Sequence, residues 1–444
     1  MKVSHLAIAI AFYAACSTGN AVAEDFNYYG TDAEVTRTVS TAGDCGCETS
    51  CGCATDCCNG CGCPDIDCGD PWSLQNHLNP CGNCYGINWG GWIQVGGTAN
   101  DQGVKDLQGN SPIRFNHSST DVMVNQAWLW AGREADTGGC GFDWGFRVDY
   151  VFGYDGNDTQ AFGGNDWDTT WVHSADAAGF PIYSSALPQA YFEVGYNDWI
   201  IKLGHFFTII GYESVPAPDN FFYSRAYTML YGEPFTHTGV LASYAYSDRV
   251  NIHGGYTTGW DAADDNDNDA HTFLGGFDWT SCSGDTTFAW MINAGDWGDG
   301  ITFDRGGTAT TGDIYIQSLV LTHRVTCDLT YIIQSDYGAN DLGTNTNEWY
   351  GVNQYLLYDI NCCWAAGLRF EWFRDDAGVR VPTLAGSTGD DYYAVTGGLN
   401  WKPHTNFVVR PELRYDWVNG GGTPFALGTE DDLLTGAVDL IVLF

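Results

Sequence analysis

From Trp89 onward the chain alternates apolar and polar residues with a period of two, in segments long enough to cross a bilayer. Sixteen such segments can be read: 89–99, 122–133, 141–153, 186–196, 199–205, 238–247, 249–260, 271–280, 285–295, 313–325, 327–337, 347–360, 362–374, 391–401, 405–417 and 432–444. Most hold 10 to 14 residues, close to the ~9–11 that a tilted strand needs to span a membrane. In 405–417, Phe407, Val409, Pro411, Leu413, Tyr415 and Trp417 share one face, while Arg410, Glu412, Arg414 and Asp416 share the other. In 141–153, Trp144, Phe146 and Val148 oppose Arg147 and Asp149. Segments 122–133 and 313–325 alternate less clearly. No run of 18 apolar residues follows the N-terminal leader, which excludes helical spans. Of the two structures that satisfy their backbone in lipid, a closed antiparallel barrel is left.

A soluble sandwich would show the same alternation with apolar faces turned inward. The connections separate the two. They alternate long and short: 100–121, 154–185, 206–237, 261–270, 296–312, 338–346, 375–390 and 418–431 are long, whereas Asn197-Asp198, Asp248, Thr326, Asn361 and Lys402-Pro403-His404 are short. Sixteen antiparallel strands with both termini at one end give this pattern, and outer-membrane barrels have short periplasmic turns and long external loops. Aromatic residues recur near strand ends (Trp89, Trp199, Trp260, Trp279, Trp349, Trp401, Trp417), where interfacial girdles would sit. The fold class expected is therefore all-β, a transmembrane antiparallel β-barrel of about sixteen strands over 89–444.

Two regions precede the barrel. Residues 1–23 read as a signal peptide, with Lys2 before an apolar stretch and Ala21-Val22-Ala23 as the cleavage site. Residues 24–88 form a Cys-rich segment, expected to be periplasmic, with eleven cysteines between Cys45 and Cys84. Repeated C-x-C resembles a metal thiolate cluster, whereas export favours disulfides. The other five mature cysteines (Cys140, Cys282, Cys327, Cys362, Cys363) all fall at short turns. They are expected to share a side with the Cys-rich segment and to be partly disulfide-linked to it.

The stretch Gly204-His205-Phe206-Phe207, Tyr212-Glu213, Asn220-Phe221-Phe222-Tyr223-Ser224-Arg225 and Gly232-Glu233-Pro234-Phe235-Thr236-His237-Thr238-Gly239 resembles the signature segment of the OmpL-like beta-barrel porins. The final strand, ending in Phe444, resembles the C-terminal signal that the outer-membrane barrel assembly machinery reads. The resemblance covers about 87–444 and implies an outer-membrane location and a porin-like channel.

Sixteen strands leave room for an aqueous channel, so the polar faces are expected to line water. Arg147, Asp149, Glu193, Lys202, Arg369, Glu371, Arg410, Glu412, Arg414 and Asp416 lie on them. Opposed charges there would select ions, or would pair to hold the wall. Loop 206–237 is rich in Phe, Tyr and Pro, and its exposure to water would be costly. It is expected to fold inward, either narrowing the pore with Glu213, Asp219, Arg225 and Glu233 as constriction charges or acting as a plug or protomer contact.

Across the eight long loops, 25 acidic residues face five basic ones, within a chain of net charge −38. This balance excludes a general nucleic-acid binder and predicts a mild cation preference, or an acidic surface suited to salty surroundings. Asp265 to Asp269 resembles the start of a calcium loop, but Ala270 and Gly276 stand where an EF-hand needs Gly and Glu. No metal site, cofactor or catalytic motif is found, and an enzyme is not expected.

The reading is a porin for ions and small polar solutes, with outer-membrane lipid and the assembly machinery as partners and a homo-oligomer allowed. A non-conducting surface barrel whose acidic loops bind partners or divalent cations is the alternative. A secreted all-β carbohydrate-binding or hydrolytic protein is the third reading.

Overall fold

The computed structural model describes residues 71–78, 85–161, 168, 171–175, 181–263, 270–296, 312–341, 343, 345–382 and 389–444. The leader, the eleven clustered cysteines and the Asp265–Asp269 run lie outside the described residues. The strands are β1 (Asn88–Asn100), β2 (Met123–Arg133), β3 (Phe142–Gly153), β4 (Val172–Ala175), β5 (Pro181–Tyr196), β6 (Trp199–Phe207), β7 (Thr236–Ser247), β8 (Val250–Thr257) and β9 (His271–Thr280). They continue with β10 (Thr286–Asp296), β11 (Asp313–Arg324), β12 (Leu329–Asp341), β13 (Thr346–Asn361), β14 (Trp364–Asp375), β15 (Asp390–His404), β16 (Phe407–Val418) and β17 (Asp432–Leu443). A short helix, α1 (Leu74–Leu78), precedes them.

Each wall strand pairs antiparallel with its sequence neighbours, and β17 returns to β1 with Trp92 opposite Leu443 and Asn100 opposite Thr435. That pairing closes the barrel at sixteen strands. The strand β4 stands apart, pairing only with the start of β5 inside a long loop. The expected strands all occur; β5 is extended at its start to Pro181 and β12 at its end to Asp341.

Alternation sets which way each side chain points. Along β16, Phe407, Pro411, Leu413 and Tyr415 are exposed on the outer face, while Val408, Arg410, Glu412, Arg414 and Asp416 are buried on the inner one. Leu368 and Phe370 on β14 and Val438 and Leu440 on β17 continue the outer apolar surface. One closed sheet with its apolar face outward is a membrane barrel, not a sandwich. Stacked aromatic pairs mark both rims of the wall, Trp364 on Trp401 at 5.6 Å towards the short turns and Tyr393 on Trp417 at 5.3 Å towards the long loops.

Two of the tryptophans expected in these girdles belong elsewhere. Trp260 and Trp349 are buried, with ring centroids 6.2 Å apart. The Arg380 guanidinium lies 4.6 Å from the first ring and 4.7 Å from the second. A strand-end position does not say which face a side chain takes; here Trp349 Nε1 donates to the Gly232 carbonyl at 3.0 Å, inside the barrel, and Trp260 packs on Trp349.

Candidate functional site in the barrel lumen

The connection between β6 and β7 folds into the barrel, as its aromatic composition requires. Residues Phe221 to Thr236 are buried without a break, and turns at Ala217–Asp219 and Thr228–Gly232 keep the path compact. Wall glycines admit it. A Cβ on Gly96 would lie 2.5 Å from the Tyr223 hydroxyl, and one on Gly367 would lie 2.4 Å from the Phe221 ring. From the long-loop end the 100–121 connection covers it, with the Phe115 ring 5.8 Å from that of Phe235 and the Tyr231 hydroxyl donating to the Pro112 carbonyl.

A segment this deep cannot leave its backbone polar groups unpaired, and the wall charges satisfy them. Arg369 Nη1 donates to the Ser224 carbonyl at 2.8 Å and to Glu213 Oε1 at 2.7 Å. Arg410 Nη1 donates to the Ala217 carbonyl at 3.0 Å and the Asn220 carbonyl at 2.6 Å. Arg414 Nη1 donates to the Arg225 carbonyl at 2.8 Å. The carboxylates take the amides: Glu412 accepts from Tyr223 at 3.0 Å and Ser224 at 3.2 Å, and Glu371 accepts from Tyr227 at 2.9 Å. The same charges pair with one another. Arg369 Nε lies 2.7 Å from Glu371, Arg414 lies 3.2 Å from Glu371 and 2.8 Å from Asp416, and Arg410 Nε donates to Asp439 at 3.0 Å.

Arg369, Glu371, Arg410, Glu412, Arg414 and Asp416 thus face the lumen without facing water. The loop covers them and uses them as anchors. The remaining four expected wall charges lie on the other side. Arg147 is half-buried, with its guanidinium 4.2 Å from the Trp130 ring centroid and Nε donating to Asp149 at 2.5 Å. Asp149 also accepts from Trp128 Nε1 at 2.8 Å, and Glu193 accepts the Ala135 amide at 2.8 Å. Lys202 lies 4.3 Å from the Tyr191 ring centroid.

Of the loop's four expected charges, Asp219 alone is exposed. Arg225 donates to the Ser214 carbonyl at 3.1 Å and the Val215 carbonyl at 3.2 Å, Glu213 accepts the Ala226 amide at 2.7 Å, and Glu233 is held by Gln334. Charge counting missed the neutral anchors. Gln126 accepts the Ala217 amide at 3.0 Å and donates to the Val215 carbonyl at 2.9 Å, and Asn125 accepts from the Tyr223 hydroxyl at 3.0 Å. Their lumen-facing position on β2 was the available signal, obscured because that strand alternates weakly.

Between the loop and the wall of β1, β2, β3 and β5 a cavity of about 270 Å³ stays open, reaching the short-turn rim at Asn88, Arg133 and Glu134. Its charged lining is Glu134, Asp149, Glu193, Glu213, Asp219 and Glu233 against Arg133 and Arg147.

Residues 86–444 match the family described as Putative beta-barrel porin-2, OmpL-like. The chain belongs to this family. As an OmpL-like porin it is an outer-membrane protein, and three solved structures share its fold. The outer-membrane channel DcaP of Acinetobacter baumannii aligns with a TM-score of 0.52 at 10% identity, over 81% of this chain and 97% of that one. OmpT of Vibrio cholerae in its trimer form aligns at 0.51 and 11%, over 81% and 99%. An anion-selective porin from Comamonas acidovorans aligns at 0.50 and 13%, over 81% and 99%. No curated protein matches the sequence. The family and these neighbours are porins and channels, which are not enzymes.

Proposed function

We propose that this OmpL-like porin lets ions and small polar solutes diffuse passively across the outer membrane, with a mild preference for cations. The carrying observation is the cavity left beside the inward loop, where six carboxylates meet two guanidiniums. The acidic long loops add to the field at the mouth, screened beyond about 8 Å at physiological salt. Arg147, Asp149, Glu193, Glu213 and Glu233 are held by opposite charges, by backbone groups or, at Glu233, by the Gln334 amide, which suits a wall and a filter. Selectivity has to be read from these charges, because the fold is shared with an anion-selective porin.

The test is single-channel recording of the detergent-purified protein in a planar bilayer under a salt gradient. Stable steps with a reversal potential of cation-selective sign are expected. A second reading, the non-conducting surface barrel, is favoured by the loop's engagement of every inward charge named on β14 and β16. Silence from protein whose circular dichroism shows folded β-structure would select it, and an anion-selective potential would overturn the assignment of the filter.

A further inference from the structure

The short-turn end carries a set of cysteines that conduction does not use. Cys140 lies between β2 and β3, Cys282 between β9 and β10, Cys327 between β11 and β12, and Cys362 and Cys363 between β13 and β14. Cys282 holds a free, exposed thiol, whereas Cys140, Cys327, Cys362 and Cys363 are disulfide-bonded. The position of Cys140 limits its partners. Its turn is held on the near side of the barrel, where Gly141 donates to Asn197 Oδ1 at 2.9 Å and Thr137 donates to the Asn197 carbonyl at 2.5 Å.

By the shorter path around the wall, six strands separate the Cys140 turn from that of Cys362 and Cys363, and eight separate it from that of Cys327. With strands about 4.8 Å apart and tilted, sixteen close at a diameter of about 30 Å, so these turns stand on the order of 25–30 Å apart. A disulfide needs its Cα atoms within about 7 Å. None of the other turn cysteines can therefore be the mate of Cys140. The cysteines left are Cys16, in the expected signal peptide, and the eleven between Cys45 and Cys84.

A second observation brings that segment to the same end. The Trp72 amide donates to Asn406 Oδ1 at 2.7 Å, and Asn406 Nδ2 returns a bond to the Trp72 carbonyl at 2.6 Å. Asn406 sits in the short turn between β15 and β16. From helix α1, Gln75 accepts the amide of Trp89 at 2.7 Å, at the start of β1. Where the chain re-enters the barrel, Gly86 lies against the Arg133 side chain, at the end of β2 that leads to Cys140.

We infer that the short-turn end of the barrel is the docking surface for the Cys-rich segment 45–84, which is tethered to it by a disulfide at Cys140. A stretch this short cannot bury a core of its own, so rigid barrel turns supply the scaffold it lacks. Closing the bond removes two protons and two electrons from two thiols; a disulfide-bearing oxidant of the exported compartment accepts them and leaves as a dithiol.

Peptide mapping reads this directly and independently of conduction. The native protein is alkylated, denatured and cut with trypsin without reduction. Cleavage after Arg37 and Lys105 puts all eleven clustered cysteines on 38–105, and cleavage after Arg133 and Arg147 puts Cys140 on 134–147. Peptide 134–147 is expected only as a species joined to 38–105 that separates completely on reduction. Release of 134–147 with Cys140 alkylated, or its joining to 325–369 without 38–105, would overturn the tether.

Discussion

The two halves of the lumen carry the same kind of side chain and use it differently. On β14 and β16, Arg369, Arg410 and Arg414 are at most 1% exposed and spend their donors on loop carbonyls and buried carboxylates. On β3 and β5, Arg147 is partly exposed and lines the open cavity together with the more deeply set Asp149 and Glu193. Nothing in the strands distinguishes them, because both sets are inward positions of an alternating pattern. What differs is whether the β6–β7 loop lies on top. A charge on a barrel's inner face becomes a filter only where nothing covers it; beneath a loop it becomes a clamp.

Removing the cover would test this most severely. Replacing Ser214–Gly232 with a short Gly-Ser link should expose the β12–β17 wall to water and raise single-channel conductance several-fold. An unchanged conductance would mean that the loop does not lie in the conducting path. Next in size is the contrast between two arginines. Arg369→Ala leaves Glu213 and Glu371 buried without their main partner, a loss of about 3–5 kcal/mol, read as a lower midpoint of denaturant unfolding. Arg147→Ala, half-exposed beside the cavity, leaves the buried Asp149 its bond from Trp128 Nε1 and should lower the midpoint less than Arg369→Ala while moving the reversal potential towards stronger cation selectivity. Equal stability losses in the two variants would abolish the distinction between clamp and filter.

The smallest effect concerns the long-loop end. His117 is buried against the Tyr154 ring, with centroids 4.5 Å apart, and lies 4.0 Å from Asp158, which Arg114 also engages. Burial lowers its pKa from 6.5 to about 4, Asp158 opposing that shift and Arg114 adding to it. Between those pH values the unfolded chain holds a proton that the folded one does not, so this histidine's contribution to stability falls as pH drops from about 6.5 to 4. His117→Gln should flatten that part of the pH dependence of the denaturation midpoint.

Much of this architecture could be read from residues near one another in the chain. A strand shows its two faces within a few residues, and a turn shows its length. The wall strands and the inward path of the Phe- and Tyr-rich loop followed from such local patterns, and so did the sorting of connections by length except at 338–346, where β12 and β13 extend and leave only 342–345 between them. Trp260 and Trp349 did not, because a ring at a strand end can point to lipid or to lumen and only its packing partner decides.

The uses of the inward charges were equally out of reach. Arg369 meets Ser224 across 145 positions of chain, and Arg410 meets Ala217 across 193. Alternation says that a side chain points inward, since the pleat is a property of the backbone at that residue. It is silent on what the side chain meets there. In this porin that is settled by a distant loop whose buried carbonyls and amides must be hydrogen-bonded, and which draws the nearest lumen charges to do it.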